Sequence, residues 1–138
     1  MIIHSDVWGP AKIPSISKAR YFVTFIDECT RMTWVSLLHK KSDVLTAFQE
    51  FYNMVGTQYQ RQIRVWQTDN ALEFLDTNCG KFLSERGIRH HTSNTYTPQQ
   101  NGLAERKNRQ IMEVVRALWH EYVSVLLVRS SEVYYLSN

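Results

Sequence analysis

The run Tyr21-Phe22-Val23-Thr24-Phe25-Ile26 constrains the fold most. It is apolar, aromatic and β-branched, and it lacks the strict apolar/polar alternation of a strand with one wet face. A strand of this kind is buried on both sides, so the sheet that holds it must be covered on both faces. The polar turn Asp27-Glu28-Cys29-Thr30-Arg31 follows, and then a second long run from Met32 to Leu38, so the pair reads as a hairpin. Ile2 to Trp8 is a further strand candidate that ends at Gly9-Pro10, and residues 11–20 read as a loop.

Helical signals begin only after these strands. Ser42 is expected to cap a helix whose apolar face is Val44, Phe48, Phe51 and Val55, stopping near Gly56. Ile63 to Thr68 reads as a short strand. Asp76 to Arg86 reads as a helix with Cys79, Phe82 and Leu83 inward and Gly87 at its end. Ile88 to His91 is a short strand, Thr92 to Gly102 a polar loop, and the stretch from there to His120 the longest helix, with Ala104, Ile111, Val114, Val115 and Leu118 on one stripe. The order β-β-β-α-β-α-β-α defines an α/β fold: a five-stranded mixed sheet flanked by helices. Residues 121–138 fit a strand by the alternation of Val123, Val125 and Leu127, and a helix by Val123, Leu126 and Leu127; the pattern leaves both open.

Composition narrows the class. A chain of 138 residues suggests one domain, and two isolated cysteines exclude a disulfide scaffold or a Cys-rich zinc module. No apolar run reaches the ~18 residues of a membrane span, and the N-terminus lacks the pattern of a signal peptide. A reducing intracellular compartment is therefore expected. Net charge is +3, from 16 basic and 13 acidic residues, which permits a polyanionic partner without requiring one.

Three acids stand out by position. Asp6 lies inside the first strand, where burial of a carboxylate needs compensation. Asp69 closes the strand Ile63–Thr68 at its C-terminal end, where open α/β sheets place their ligands. Glu105 falls in the first turns of the long helix, and 35 residues separate it from Asp69. If the first two strands are neighbours, their carboxylates converge, and the helix can bring the third. Three converging carboxylates repel one another unless a cation joins them. Oxygen donors favour Mg²⁺ or Mn²⁺ over zinc, and two such ions suit in-line displacement at phosphorus. The plainer reading is an exposed strand residue, a turn, and a favourable first-turn charge.

The segment Tyr96-Thr97-Pro98-Gln99-Gln100-Asn101-Gly102-Leu103-Ala104-Glu105-Arg106-Lys107-Asn108-Arg109 resembles the final signature of retroviral-type integrases, specifically those of copia-type LTR retrotransposons. His4-Ser5-Asp6-Val7-Trp8-Gly9-Pro10, Tyr21 to Asp27 and Thr68-Asp69-Asn70 resemble its earlier motifs, in order, across residues 2 to about 120. The resemblance implies a ribonuclease-H-like core over residues 1–120 and a divergent tail over 121–138, without the family's N-terminal zinc module and C-terminal domain. It implies that Asp6, Asp69 and Glu105 form a DDE triad on two Mg²⁺ (or Mn²⁺) ions. The activity implied is nicking of element DNA near its 3′ end and strand transfer into target DNA, in the nucleus, by a homo-oligomer.

Around this triad, Arg86, Arg89, Arg106, Lys107 and Arg109 face one acid, Glu105, in residues 86–109, an excess that would draw phosphates. By resemblance, Tyr96, Asn101, Lys107, Asn108 and Arg109 are DNA contacts. Where the family carries glycines after Asp-Asn, this chain has Ala71 and Leu72. The second reading is therefore a catalytically inactive remnant, at most a dimerising or nucleic-acid-binding module. A ribonuclease H that only hydrolyses is the third.

Overall fold

The computed structural model describes residues 1–68, 76–92, 109–111, 113–115, 117, 119, 125–129 and 132–136. Three strands come first: β1 (Ile2–Trp8), β2 (Tyr21–Asp27) and β3 (Thr33–Leu38). A 3-10 turn at Lys41–Asp43 leads into α1 (Val44–Gln58); β4 (Val65–Thr68), α2 (Thr77–Glu85) and β5 (Arg89–Thr92) follow. Helical backbone returns at residues 109–111, 113–115 and 117. β6 (Val125–Arg129) and β7 (Glu132–Leu136) end the chain as a hairpin.

All strands lie in one mixed sheet, ordered β5-β4-β1-β2-β3-β6-β7. The five strands expected from sequence are contiguous in it. β1 pairs antiparallel with β2 and parallel with β4; β4 pairs parallel with β5. The C-terminal segment, which periodicity left between strand and helix, resolves as strand: β6 pairs antiparallel with β3 and extends the sheet to seven strands.

Each face of the sheet carries its own apolar cluster. On one face α1 and α2 cover Ile3, Val23, Phe25, Trp34 and Trp66. All four residues of the expected α1 stripe are buried there. Phe48 lies flat on Trp66, with ring centroids 3.7 Å apart and planes 6° apart. On the other face Ile111, Val115 and Trp119 pack against Ala11, Phe22 and Val35, with Trp8 at the margin. Two covered faces explain the unbroken apolar run of β2, in which Phe22 and Val23 serve opposite clusters.

Two helix boundaries differ from expectation. Ser42 lies within the 3-10 turn, and Asp43 is the N-terminal cap residue of α1, its carboxylate accepting the Lys40 N–H at 3.0 Å. Gly56 does not stop α1, because a lone glycine costs a helix only about 1 kcal/mol. The helix runs to Gln58, and Gln60 then turns the chain at φ 52°. The α2 bounds are close to those expected, with Gly87 following at φ 66°; its cap, which the sequence reading did not name, is Asp76, whose side chain accepts the Asn78 N–H.

Candidate active site

The pairing of β1 with β4 positions the site. Its parallel register sets Ile2 against Val65, Ile3 against Trp66, His4 against Gln67 and Ser5 against Thr68. Asp6 is the next residue of β1, and Thr68 is the last of β4. The condition stated from sequence, that these two strands be neighbours, is therefore met.

Side chains alternate along β1. Ile3 and Ser5 point into the α1/α2 layer, while His4, Asp6 and Trp8 lie on the opposite face. That is the face on which Ile111, Val115 and Trp119 pack. Asp6 is exposed, so the expectation of a costly buried carboxylate is corrected: the strand does not bury it. Across the β1–β2 ladder Asp6 pairs with Thr24, whose hydroxyl reaches the Asp6 carbonyl oxygen at 3.4 Å.

Polar bonds behind Asp6 fix the strand. The Trp66 indole N–H donates to Ser5 Oγ at 2.7 Å, diagonally across β1 and β4. One strand over, Thr68 Oγ1 and His90 Nε2 lie 2.8 Å apart. Burial holds the His90 pKa below its ordinary 6.5, and His91 lowers it further, so the ring is held neutral and shares one hydrogen bond with the Thr68 hydroxyl. Pattern reading found neither bond. Ser5 alternating with Ile3 and Val7 on one strand face was the available signal, since a buried hydroxyl calls for a partner.

Of the residues expected to act, Asp6 is placed as described, and Arg109 is exposed at the first described residue of the last helix. Asp69, Glu105, Tyr96, Asn101, Lys107 and Asn108 lie outside the described residues. Among the described residues no group of three His, Cys, Asp or Glu side chains could hold a metal. Of the three acids expected to bind metal, only Asp6 is described: an exposed carboxylate on a strand held from both sides, an oxygen donor of the kind hard divalent cations take.

The basic stretch divides. Arg89 is level with Val65 and Ile2 at the start of its strand, about 13 Å along the sheet from Asp6. Arg86 lies further back, its guanidinium 3.9 Å over the Phe82 ring and paired with Glu85 at 3.7 Å. Neither surrounds Asp6, so that part of the expected excess does not gather at the site.

His4, Asp27 and the two cysteines take structural settings. His4 is a strand residue, its Nε2 3.6 Å from Glu28. Asp27 builds the β2–β3 turn, accepting from the Thr30 N–H at 3.1 Å and the Thr30 hydroxyl at 2.6 Å. Cys79 is buried, which with nearby Asp76 pushes its thiol up to about 11. Cys29 is exposed in the turn.

Comparison with known proteins agrees with this arrangement. The integrase core domain family model matches residues 2–98. The Pol polyprotein of transposon TNT 1-94 from Nicotiana tabacum is 40% identical over 117 residues, 85% of this chain and 9% of the polyprotein. The polyprotein of transposon RE2 from Arabidopsis thaliana is 43% identical over 112 residues, 81% of this chain and 8% of its own length. The chain thus spans less than a tenth of these relatives. Among solved structures, the catalytic core domain of BIV integrase superposes with a TM-score of 0.63 at 14% identity, covering 85% of this chain and 70% of that one. The HTLV-2 integrase catalytic core domain in complex with magnesium gives 0.59 at 22%, covering 84% and 69%.

The fold is thus the ribonuclease-H-like fold of integrase catalytic cores. The chain belongs to the integrase core domain family, and its resemblance to copia-type elements is borne out.

Proposed function

We propose that this chain is the catalytic core of a retrotransposon integrase, a polynucleotidyl transferase that nicks DNA near a 3′ end and joins that end to target DNA. The observation that carries the reading is the β1–β4 register. Ser5 pairs with Thr68, and in sequence Asp6 follows one and Asp69 follows the other. The last helix packs on the Asp6 face of the sheet, and in sequence Glu105 lies shortly before its first described residue, Arg109.

In this reading Asp6, Asp69 and Glu105 hold two Mg²⁺ or Mn²⁺ ions. When bound, such ions lower the pKa of an attacking hydroxyl and neutralise charge on the leaving oxygen. The chain's own part is positioning. β1, pinned by β2 and β4, keeps the Asp6 carboxylate at the surface. Arg109, with Tyr96, Asn101, Lys107 and Asn108, would hold the DNA backbone. Residues 1–120 form the core in this proposal and 121–138 an appendage. The partners are element-end DNA, target DNA and further copies of the chain, and the compartment is the nucleus.

The test is a nicking and strand-transfer assay on an oligonucleotide duplex with Mg²⁺ or Mn²⁺. Metal-dependent cleavage by the wild type, abolished in both Asp6→Asn and Asp69→Asn, is expected. Metal-independent cleavage, or cleavage that survives both substitutions, refutes the triad. DNA binding without any cleavage selects the inactive remnant.

A further inference from the structure

We infer that the β1–β2 loop and the β3–α1 turn form one basic rim that grips the phosphate backbone of duplex DNA beyond the reacting end. The inference rests on the reading of DNA as substrate. It concerns residues that neither the triad nor the sequence motifs include.

The topology brings the two segments together. β1 runs toward Trp8, β2 returns from Tyr21, and β3 ends at Leu38 opposite Tyr21. The loop 9–20 and the turn 39–43 therefore lie at one end of the sheet, the end toward which Asp6 lies on β1 and at which β4 finishes. From Asp6 to the end of β1 is two residues, about 7 Å, or some two base-pair steps of duplex. In sequence Lys12, Lys18 and Arg20 are separated from Lys40 and Lys41 by two whole strands, so no local charge run announces them.

All five of these cations are exposed. Asp43 is the one carboxylate in either segment, and it is turned to the Lys40 backbone N–H. Among the described residues Lys12, Lys18, Arg20 and Lys40 form no ion pair with a carboxylate. Exposed cations brought to one end of the sheet, with a single carboxylate in their two segments, favour a polyanionic partner.

The loop is also braced to hold them there. Ala11 N–H donates to Arg20 O at 2.7 Å, Lys18 N–H to Ser15 O at 2.9 Å, and Arg20 N–H to Leu38 O at 3.1 Å. The His39 Nε2–H donates to the Ser17 carbonyl at 2.7 Å and so ties the two segments directly. The Trp119 indole N–H donates to Ile13 O at 2.8 Å, fastening the loop to the turn residue Trp119, which shares a cluster with Ile111 and Val115. Lys18 itself sits at φ 67°, a backbone setting that costs a residue with a side chain some energy. The other basic edge, with Arg61 and Arg64, lies at the opposite end of the sheet, where Arg64 N–H meets Met1 O, and it serves as the control.

The experiment measures binding of this chain to fluorescent duplex DNA by anisotropy, without metal, across a NaCl series. The rim variant is Lys18→Asn with Lys40→Gln; asparagine tolerates positive φ. The control, Arg61→Gln with Arg64→Gln, removes the same charge from the far end. Circular dichroism melts establish that both are folded. The rim variant is expected to bind roughly tenfold or more weakly at 0.1 M salt, with a log–log salt slope shallower by about 2, while the control stays near wild type. Equal losses in the two variants, no loss in the rim variant, or no binding by the wild type overturns the rim. Nicking by wild type with undiminished binding in the rim variant removes the rim and leaves the chemistry. Rim-dependent binding without nicking removes the chemistry and leaves the rim.

Discussion

Replacing Ser5 by alanine tests how Asp6 is held. Ser5 is 6% exposed and Trp66 fully buried, so water cannot replace the lost acceptor of the indole N–H. Depriving a buried donor of its acceptor costs about 1–3 kcal/mol, whereas removing both partners of a hydrogen bond costs far less on the polar account. Trp66→Phe removes the donor but also thins the stack on Phe48, about 2 kcal/mol by the cost of large-to-small core changes. If the bond does what the geometry says, Ser5→Ala is nearly silent in the Trp66→Phe background, and the cycle returns a coupling of about 1–2 kcal/mol. Urea unfolding of the four proteins, followed by fluorescence and circular dichroism, supplies the free energies. An equal cost of Ser5→Ala in both backgrounds, or a cost under about 0.5 kcal/mol in the wild type, refutes the claim that this bond fastens β1 to β4.

Two further outcomes follow from shifted pKa values. The folded state disfavours protonated His90, so the unfolded chain binds more protons once pH falls below about 6.5 and stability drops with it. Across a pH series of urea midpoints His90→Gln should flatten that acid limb, and an unchanged limb counts against a buried neutral ring. Burial raises the Cys79 thiol to about 11, whereas Cys29 is exposed. Iodoacetamide at pH 8 should therefore modify Cys29 quickly and Cys79 only on unfolding, read by peptide mass; comparable native rates contradict the burial.

Much of the fold was legible because its signals are local. The unbroken run of β2 announced two covered faces, and the i, i+4, i+7, i+11 spacing from Val44 to Val55 picked out the buried face of α1. Asp6 was legible for the wrong energetic reason, since the strand exposes it. What it shares with the end of β4 is register, which pattern could state only as a condition. β6 escaped because its partner β3 lies some ninety residues earlier, and periodicity carries no record of pairing at that distance. The proposed rim escaped for a related reason: its two segments come to one end of the sheet only after two strands have folded back.

β1 also constrains how this sequence can drift. Its neighbours run in opposite senses, and both fix its register. A one-residue insertion or deletion between Ile3 and Asp6 would reverse the faces of every residue on one side of it. The carboxylate would then turn toward Phe48 and Trp66, and the seat of Ser5 would pass to a residue from the wet face. In this strand length is as strictly specified as chemistry: the count of residues before Asp6 tolerates less change than the identities of most of them.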